Sequence, residues 1–149
     1  MSITWMAIRC ILIIGLIIAS VYDIKTLQFP LWIPSFLLIF SLFSLFVPVT
    51  DRTLSSCVRQ MIISLFPLVV ICLMHRLNIK IIGKGDGLLL VDIGLITGAD
   101  EYIFIILIAL VLAGVVSAVL LVFRIKGQKD KLPFIPFLTI GTIATSILK

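Results

Sequence analysis

The sequence predicts an all-α, polytopic membrane protein of about six spans, the fourth of them short. Three observations carry that expectation. The chain of 149 residues is 62% hydrophobic and 13% charged, and its mean hydropathy is +1.34. A soluble domain is nearer half apolar and a quarter charged, and a core of this size cannot hide the excess. The apolar residues fall into six separate stretches, and the basic residues cluster in alternate connections between them. A soluble enzyme, a secreted disulfide scaffold and a disordered chain are excluded, and no soluble domain fits beside six spans of roughly 20 residues each. The expectation is one transmembrane domain over residues 1–149.

The first stretch covers residues 3–22. It lacks a basic n-region and is long enough to span, so it reads as a retained helix and not as a cleaved signal. The second, 31–47, is bracketed by Pro30 and Pro48. The third is 57–74, the fourth 87–98, the fifth 102–123 and the sixth 133–148. No period of 20 to 50 residues repeats, which argues against an internal-repeat transporter.

The fourth stretch is the one to justify. Twelve residues rise only about 18 Å against a hydrocarbon thickness of roughly 30 Å. Charge decides in favour of a crossing. With six spans, Lys25, Arg76, Lys80, Lys84, Arg124, Lys126, Lys129 and Lys131 share one side, leaving Arg9, Arg52, Arg59 and Lys149. Without the fourth span, the cluster 124–131 would move to the other side and break the positive-inside pattern. The expected topology has both termini outside and the basic loops in the cytoplasm. The short fourth helix then thins the bilayer or is shielded by its neighbours. The acidic turn Asp100–Glu101 falls outside.

The net charge of +5 thus reports topology and not nucleic-acid binding. Cys10, Cys57 and Cys72 stand singly, with no pair spaced for a metal or a disulfide framework, and no cofactor or metal is expected. Trp5 and Trp32 sit near span ends, as aromatic-belt residues do. The basic run 124–131 reads as a topology anchor that attracts anionic lipid. His75, beside Arg76 at a boundary, reads as a snorkelling residue.

Ionisable residues at membrane depth suggest function by default. Asp23 ends the first stretch and Asp86 opens the fourth, so six spans put both at the cytoplasmic edge. Asp92 lies about one and a half turns deeper, on another helix face. It either supports Asp86 or pairs with a polar group in the bundle. Taken singly, Asp23 is a helix end meeting water and Asp86 an N-terminal acid favoured by the helix dipole. The glycines Gly83, Gly85 and Gly87 around Lys84 and Asp86 tilt the reading, because glycine permits close approach and unusual backbone angles. No GKS or GKT follows, so a phosphate loop is not indicated. Two carboxyls at a dry edge share one proton. The ionised member can activate water while the protonated one donates to a scissile carbonyl.

On three blocks the chain resembles the type IV prepilin peptidases, the GxGD-type intramembrane aspartyl proteases. Asp23-Ile24-Lys25-Thr26-Leu27-Gln28-Phe29-Pro30 is similar to the first acidic block of that family. Gly83-Lys84-Gly85-Asp86 fits its GxGD motif, with residues 91–98 similar to the small-apolar run after it. Pro133-Phe134-Ile135-Pro136-Phe137-Leu138 resembles its late PFxPFL-like element. The resemblance implies a leader endopeptidase with Asp23 and Asp86 as catalytic acids. Gly83, Lys84, Gly85, Gly87, Lys25, Pro30, Pro133 and Pro136 would bind substrate or shape the site.

The implied partners are a prepilin or pseudopilin and the lipid bilayer. The implied location is the cytoplasmic membrane, with the site near its cytoplasmic face. Leu27, Leu31 and Leu88 stand where the family often has a basic residue, Asn and Lys, which bears on substrate preference. Larger members carry a paired-cysteine region associated with methylation of the new N-terminus. The expectation here is the short form, which cleaves without methylating. Two other functions fit the composition: a small proton- or ion-coupled transporter with the three Asp residues as a relay, and a non-catalytic partner in pilus or secretion assembly. The glycines flanking one acid favour the peptidase.

Overall fold

The computed structural model describes residues 3–26, 31–46, 54–77, 83–123 and 132–147. Six helices account for nearly all of these residues: α1 (Ile3–Thr26), α2 (Trp32–Phe46), α3 (Leu54–Arg76), α4 (Lys84–Thr97), α5 (Ala99–Val122) and α6 (Ile135–Ile147). No strand occurs among them. The all-α expectation is met, with six helices where six apolar stretches stand.

α1, α3 and α5 are each long and apolar enough to cross a membrane. Their outward faces are apolar: Ile14, Ile17 and Val21 on α1, Phe66 and Val69 on α3, and Phe104, Leu107 and Val111 on α5 are all exposed. The interior instead holds Asp92, Ser41, Ser44, Ser64 and Gln60 beside its leucines and isoleucines. Apolar outside with polar groups drawn inward is the pattern lipid imposes.

α4 is the axle of the fold. It packs chiefly against α3 and α2 and also touches α1 and α5. Every residue from Leu89 to Thr97 is buried. At 14 residues it rises roughly 21 Å, too short to span by itself. Neighbouring helices cover its flanks, so of the two expected remedies the shielding is the one seen. Gln60 of α3 donates to the carbonyls of Gly94 (3.1 Å) and Leu95 (2.6 Å). The carbonyl of Leu95 is among the last of the helix, which lack intrahelical partners, whereas that of Gly94 also accepts from the N–H of Gly98 at 3.4 Å. Close approach makes the Gln60 bonds possible: a Cβ on Gly94 would lie 2.5 Å from Ser64 Cβ.

A single residue joins α4 to α5. Gly98 has φ 92° and ψ 160°, a conformation that side chains resist. It reverses the chain so tightly that Asp100 and Glu101 fall in the first turn of α5 and not in a loop, as expected. Negative side chains are favoured at a helix N-terminus, which explains the earlier start. Glu101 pairs with Arg9 of α1, whose guanidinium lies 5.8 Å from the ring centroid of Trp5. Trp5 is therefore a buried packing residue and not a belt residue, while Trp32 is exposed. The three cysteines are free. The basic run 124–131, Lys80, Arg52 and Lys149 lie outside the described residues.

Candidate active site

Asp23 lies in the last turn of α1. It is buried (7% exposed), so it does not simply meet water at a helix end as its position suggests. α1 continues to Thr26, and the acid points inward, toward the start of α6. There the backbone N–H of Ile135 donates to Asp23 Oδ2 at 3.2 Å, and the N–H of Phe134 also faces the carboxyl. The first N–H groups of a helix have no partner within it and carry partial positive charge. Asp23 supplies the missing acceptor from another helix.

The prolines around that contact now have a physical role. Pro133 precedes α6, and Pro136 sits in its first turn, where proline sacrifices no helical hydrogen bond. Neither has an N–H. In Pro133-Phe134-Ile135-Pro136 the two residues between the prolines keep donors, and both face Asp23. The sequence carried the signal, but spacing alone did not reveal what those donors bind.

Asp86 lies in the first turn of α4. Its Oδ2 accepts from the backbone N–H of Gly83 at 3.3 Å. This is half of a capping box: the acid at the third helical position reaches back, but Gly83 has no side chain to return the bond. Gly83 has φ −68° and ψ 145°, angles open to any residue. Of the two properties glycine offers, unusual backbone angles are not used there. What Gly83 supplies is space, since a Cβ on it would sit 3.3 Å from the Asp86 carboxyl oxygen. Gly87 serves packing: a Cβ there would come within 3.1 Å of both Leu68 and Ile71 on α3. Gly85 is buried.

α1 and α4 bring Asp23 and Asp86 to the same end of the bundle, close enough that the charge of Asp23 acts on Asp86. Pro133 and Pro136 join them through the start of α6. Lys25 is exposed, two residues past Asp23 in the last turn of α1. Pro30 and Leu27 lie outside the described residues, as does the side chain of Lys84. Leu31 is exposed and Leu88 half-buried. Asp92 is not part of the pair; it is fully buried against α2, with Ser41 Oγ at 3.1 Å. His75 is half-buried at the end of α3.

Two acids from separate helices, each accepting from backbone N–H groups, thus lie at one end of the bundle. The type IV leader peptidase family model matches residues 10–118, more than half of the chain. The chain belongs to the type IV leader peptidase family. Both Asp23 and Asp86 fall inside the matched stretch, whereas the Pro133–Pro136 element that holds Asp23 lies beyond it. No curated protein and no solved structure matched the chain. Membership of this family makes the chain a leader-peptidase-like protease, and the helices described above make it a membrane protein.

Proposed function

We propose that this leader peptidase is an aspartic endopeptidase that removes the leader of type IV prepilin-like proteins at the cytoplasmic face of the membrane. The observation that carries the reading is the convergence of Asp23 and Asp86 at one end of the bundle. Two neighbouring carboxyls, one buried and one half-buried, favour the state with one proton between them. The ionised carboxyl takes a proton from water as the water oxygen attacks the scissile carbonyl. The protonated carboxyl donates to the carbonyl oxygen. Collapse of the tetrahedral intermediate breaks the C–N bond: the first acid returns its proton to the leaving amine, and the second takes a proton back from a hydroxyl of the diol, which restores the starting state. The backbone donors from Gly83 and Ile135 fix each carboxyl without adding a competing positive charge.

The substrate follows from the location of the pair. A cut near the membrane edge suits a short basic leader followed by a small residue and an apolar helix of about 20 residues. That helix packs against the bundle in lipid and brings the bond to the acids, so proximity replaces tight leader binding. The small residue fits the space left beside Asp86 by Gly83. The clustering of basic residues in alternate connections supports a cytoplasmic position for this end of the bundle.

The experiment is cleavage by the full chain reconstituted in liposomes. The substrates are an intact prepilin, the same prepilin with the residue before the cut changed to Val or Leu, and the leader alone. Cleavage confined to the intact prepilin, without methyl transfer from an added donor, is the expected result. Equal cutting of all three refutes the substrate reading. A reporter fused at Gln128 tests the orientation, and an external report overturns it.

A further inference from the structure

Asp92 is a fully buried acid that the chemistry at Asp23 and Asp86 does not use. It sits in the middle of α4, enclosed by α2 and α3, and no ion pair among the described residues reaches it. Its Oδ1 is 3.1 Å from Ser41 Oγ, and its Oδ2 has no partner. Ser41 is also fully buried, and its Oγ lies 2.9 Å from the carbonyl oxygen of Leu38, one turn back in α2.

Proton counting decides what this arrangement is. Ser41 has one hydroxyl proton and two oxygens within reach. A carbonyl can only accept, so if Ser41 satisfies Leu38, the proton between Ser41 and Asp92 must come from Asp92. The alternative gives the serine proton to an ionised Asp92. That leaves a buried charge with one neutral donor, an empty second oxygen and no counter-ion among the described residues, which burial heavily disfavours. A neutral acid avoids that cost and completes an ordered chain: Asp92 donates to Ser41, and Ser41 donates to Leu38.

The placement of this bond matters for Asp86. The two residues are six positions apart on one rigid helix, so they differ by about 9 Å along its axis and about 120° around it. Asp92 faces α2, while Asp86 senses Asp23 on α1. Any rotation of α4 that draws Asp92 away from Ser41 also turns Asp86 away from Asp23. We propose that Asp92 is a positioning residue: as a neutral acid it bonds α4 to α2 through Ser41, and this fixes the rotation at which Asp86 meets Asp23. The positioning role rests on the peptidase reading above, whereas the neutral acid does not.

The test therefore has two arms. In the first, infrared spectra are taken at neutral pH on the full chain carrying Asp23→Asn and Asp86→Asn, with and without Asp92→Asn. A carbonyl band of a protonated carboxylic acid, lost on adding Asp92→Asn, is expected. Its absence overturns the proposal whether or not the chain cleaves anything. In the second arm, cleavage of a full prepilin is measured for single variants. An Asn amide can donate to Ser41 as the acid does, so Asp92→Asn keeps kcat within about threefold and leaves the pH profile unmoved. Asp92→Leu and Ser41→Ala lose about 100-fold in kcat with little change in KM, the scale of a misplaced catalytic group. Loss of cleavage in Asp92→Asn equal to that in Asp86→Asn would make Asp92 a proton-transfer group and overturn the positioning role. Full activity of both Asp92→Leu and Ser41→Ala would overturn it as well. If the unmodified chain does not cut prepilin, the peptidase reading fails and the infrared arm still decides the state of Asp92.

Discussion

Arg9 and Glu101 close one end of the bundle with opposite charges, whereas Asp23 and Asp86 bring like charges together at the other. The first pair joins α1 to α5 through side chains and sits against Trp5. The second pair joins α1 to α4, and its hydrogen-bond partners are backbone N–H groups of Ile135 and Gly83. Opposite charges in a dry place stabilise each other. Like charges there repel, and a helix bundle gains nothing in stability from their meeting. The comparison separates a fastening from a pair whose meeting stability does not explain, although both consist of two ionisable residues far apart in sequence.

The largest expected effect breaks the acid end. Asp23→Asn and Asp86→Asn each keep the size of the side chain and remove the shared proton. Each should lower the cleavage rate by roughly 1,000-fold or more, within the range that a general acid or base supplies, while amounts in the membrane stay unchanged. Normal cleavage by either variant, assayed on a prepilin in liposomes, would end the dyad assignment.

The opposite end should respond in the reverse manner. Arg9→Met removes the positive charge facing Glu101, and about 3–5 kcal/mol of stability should go with it. Adding Glu101→Gln should restore most of that loss. Thermal or denaturant unfolding in detergent measures both, and the folded fraction should still cleave. A stability change of Arg9→Met below about 1 kcal/mol would class the pair with weak surface ion pairs.

Smaller effects sharpen the comparison through α4, which links the two ends. Gly94→Ala places a methyl group 2.5 Å from Ser64 Cβ and should cost about 1–3 kcal/mol by overpacking. Ser64→Gly in the same chain should relieve it. Gly98→Ala meets no neighbour within 4 Å, so its cost is conformational, about 1–2 kcal/mol. It should not be rescued by trimming any neighbour, and rescue by Ser64→Gly would show that the two strains are one.

The six helices are legible in the sequence because the bilayer demands long apolar runs and the runs are separated by charge, proline or glycine. The blind spot is burial within a membrane bundle, where apolar composition looks the same on a lipid-facing and a packed helix. α4 shows this well. Its shortness is visible in the sequence, but its central position follows from pairings that no local pattern encodes. Asp23 and Asp86 stand out through their flanking blocks. Arg9 stands within the first apolar stretch and Glu101 in an acidic turn, and nothing local announces a contact that joins positions 92 residues apart. Gln60 gave no signal at all, since a lone amide in an apolar stretch does not announce which carbonyls it will cap. Gly83 and Gly87 were visible as a motif, but one leaves room for a carboxyl and the other for α3, and only the fold distinguishes them.

The bond from Ile135 to Asp23 joins the last helix to the first, and that has a consequence for biogenesis. The ribosome delivers Asp23 early and Asp86 past the middle of the chain, so both acids can enter the membrane before α6 exists. Until Phe134 and Ile135 emerge, Asp23 lacks the donors that hold it in place. A chain stalled after α5 would carry both acids without the clasp that aligns them. The order of synthesis thus delays the fastening of Asp23 until Phe134 and Ile135 have been made.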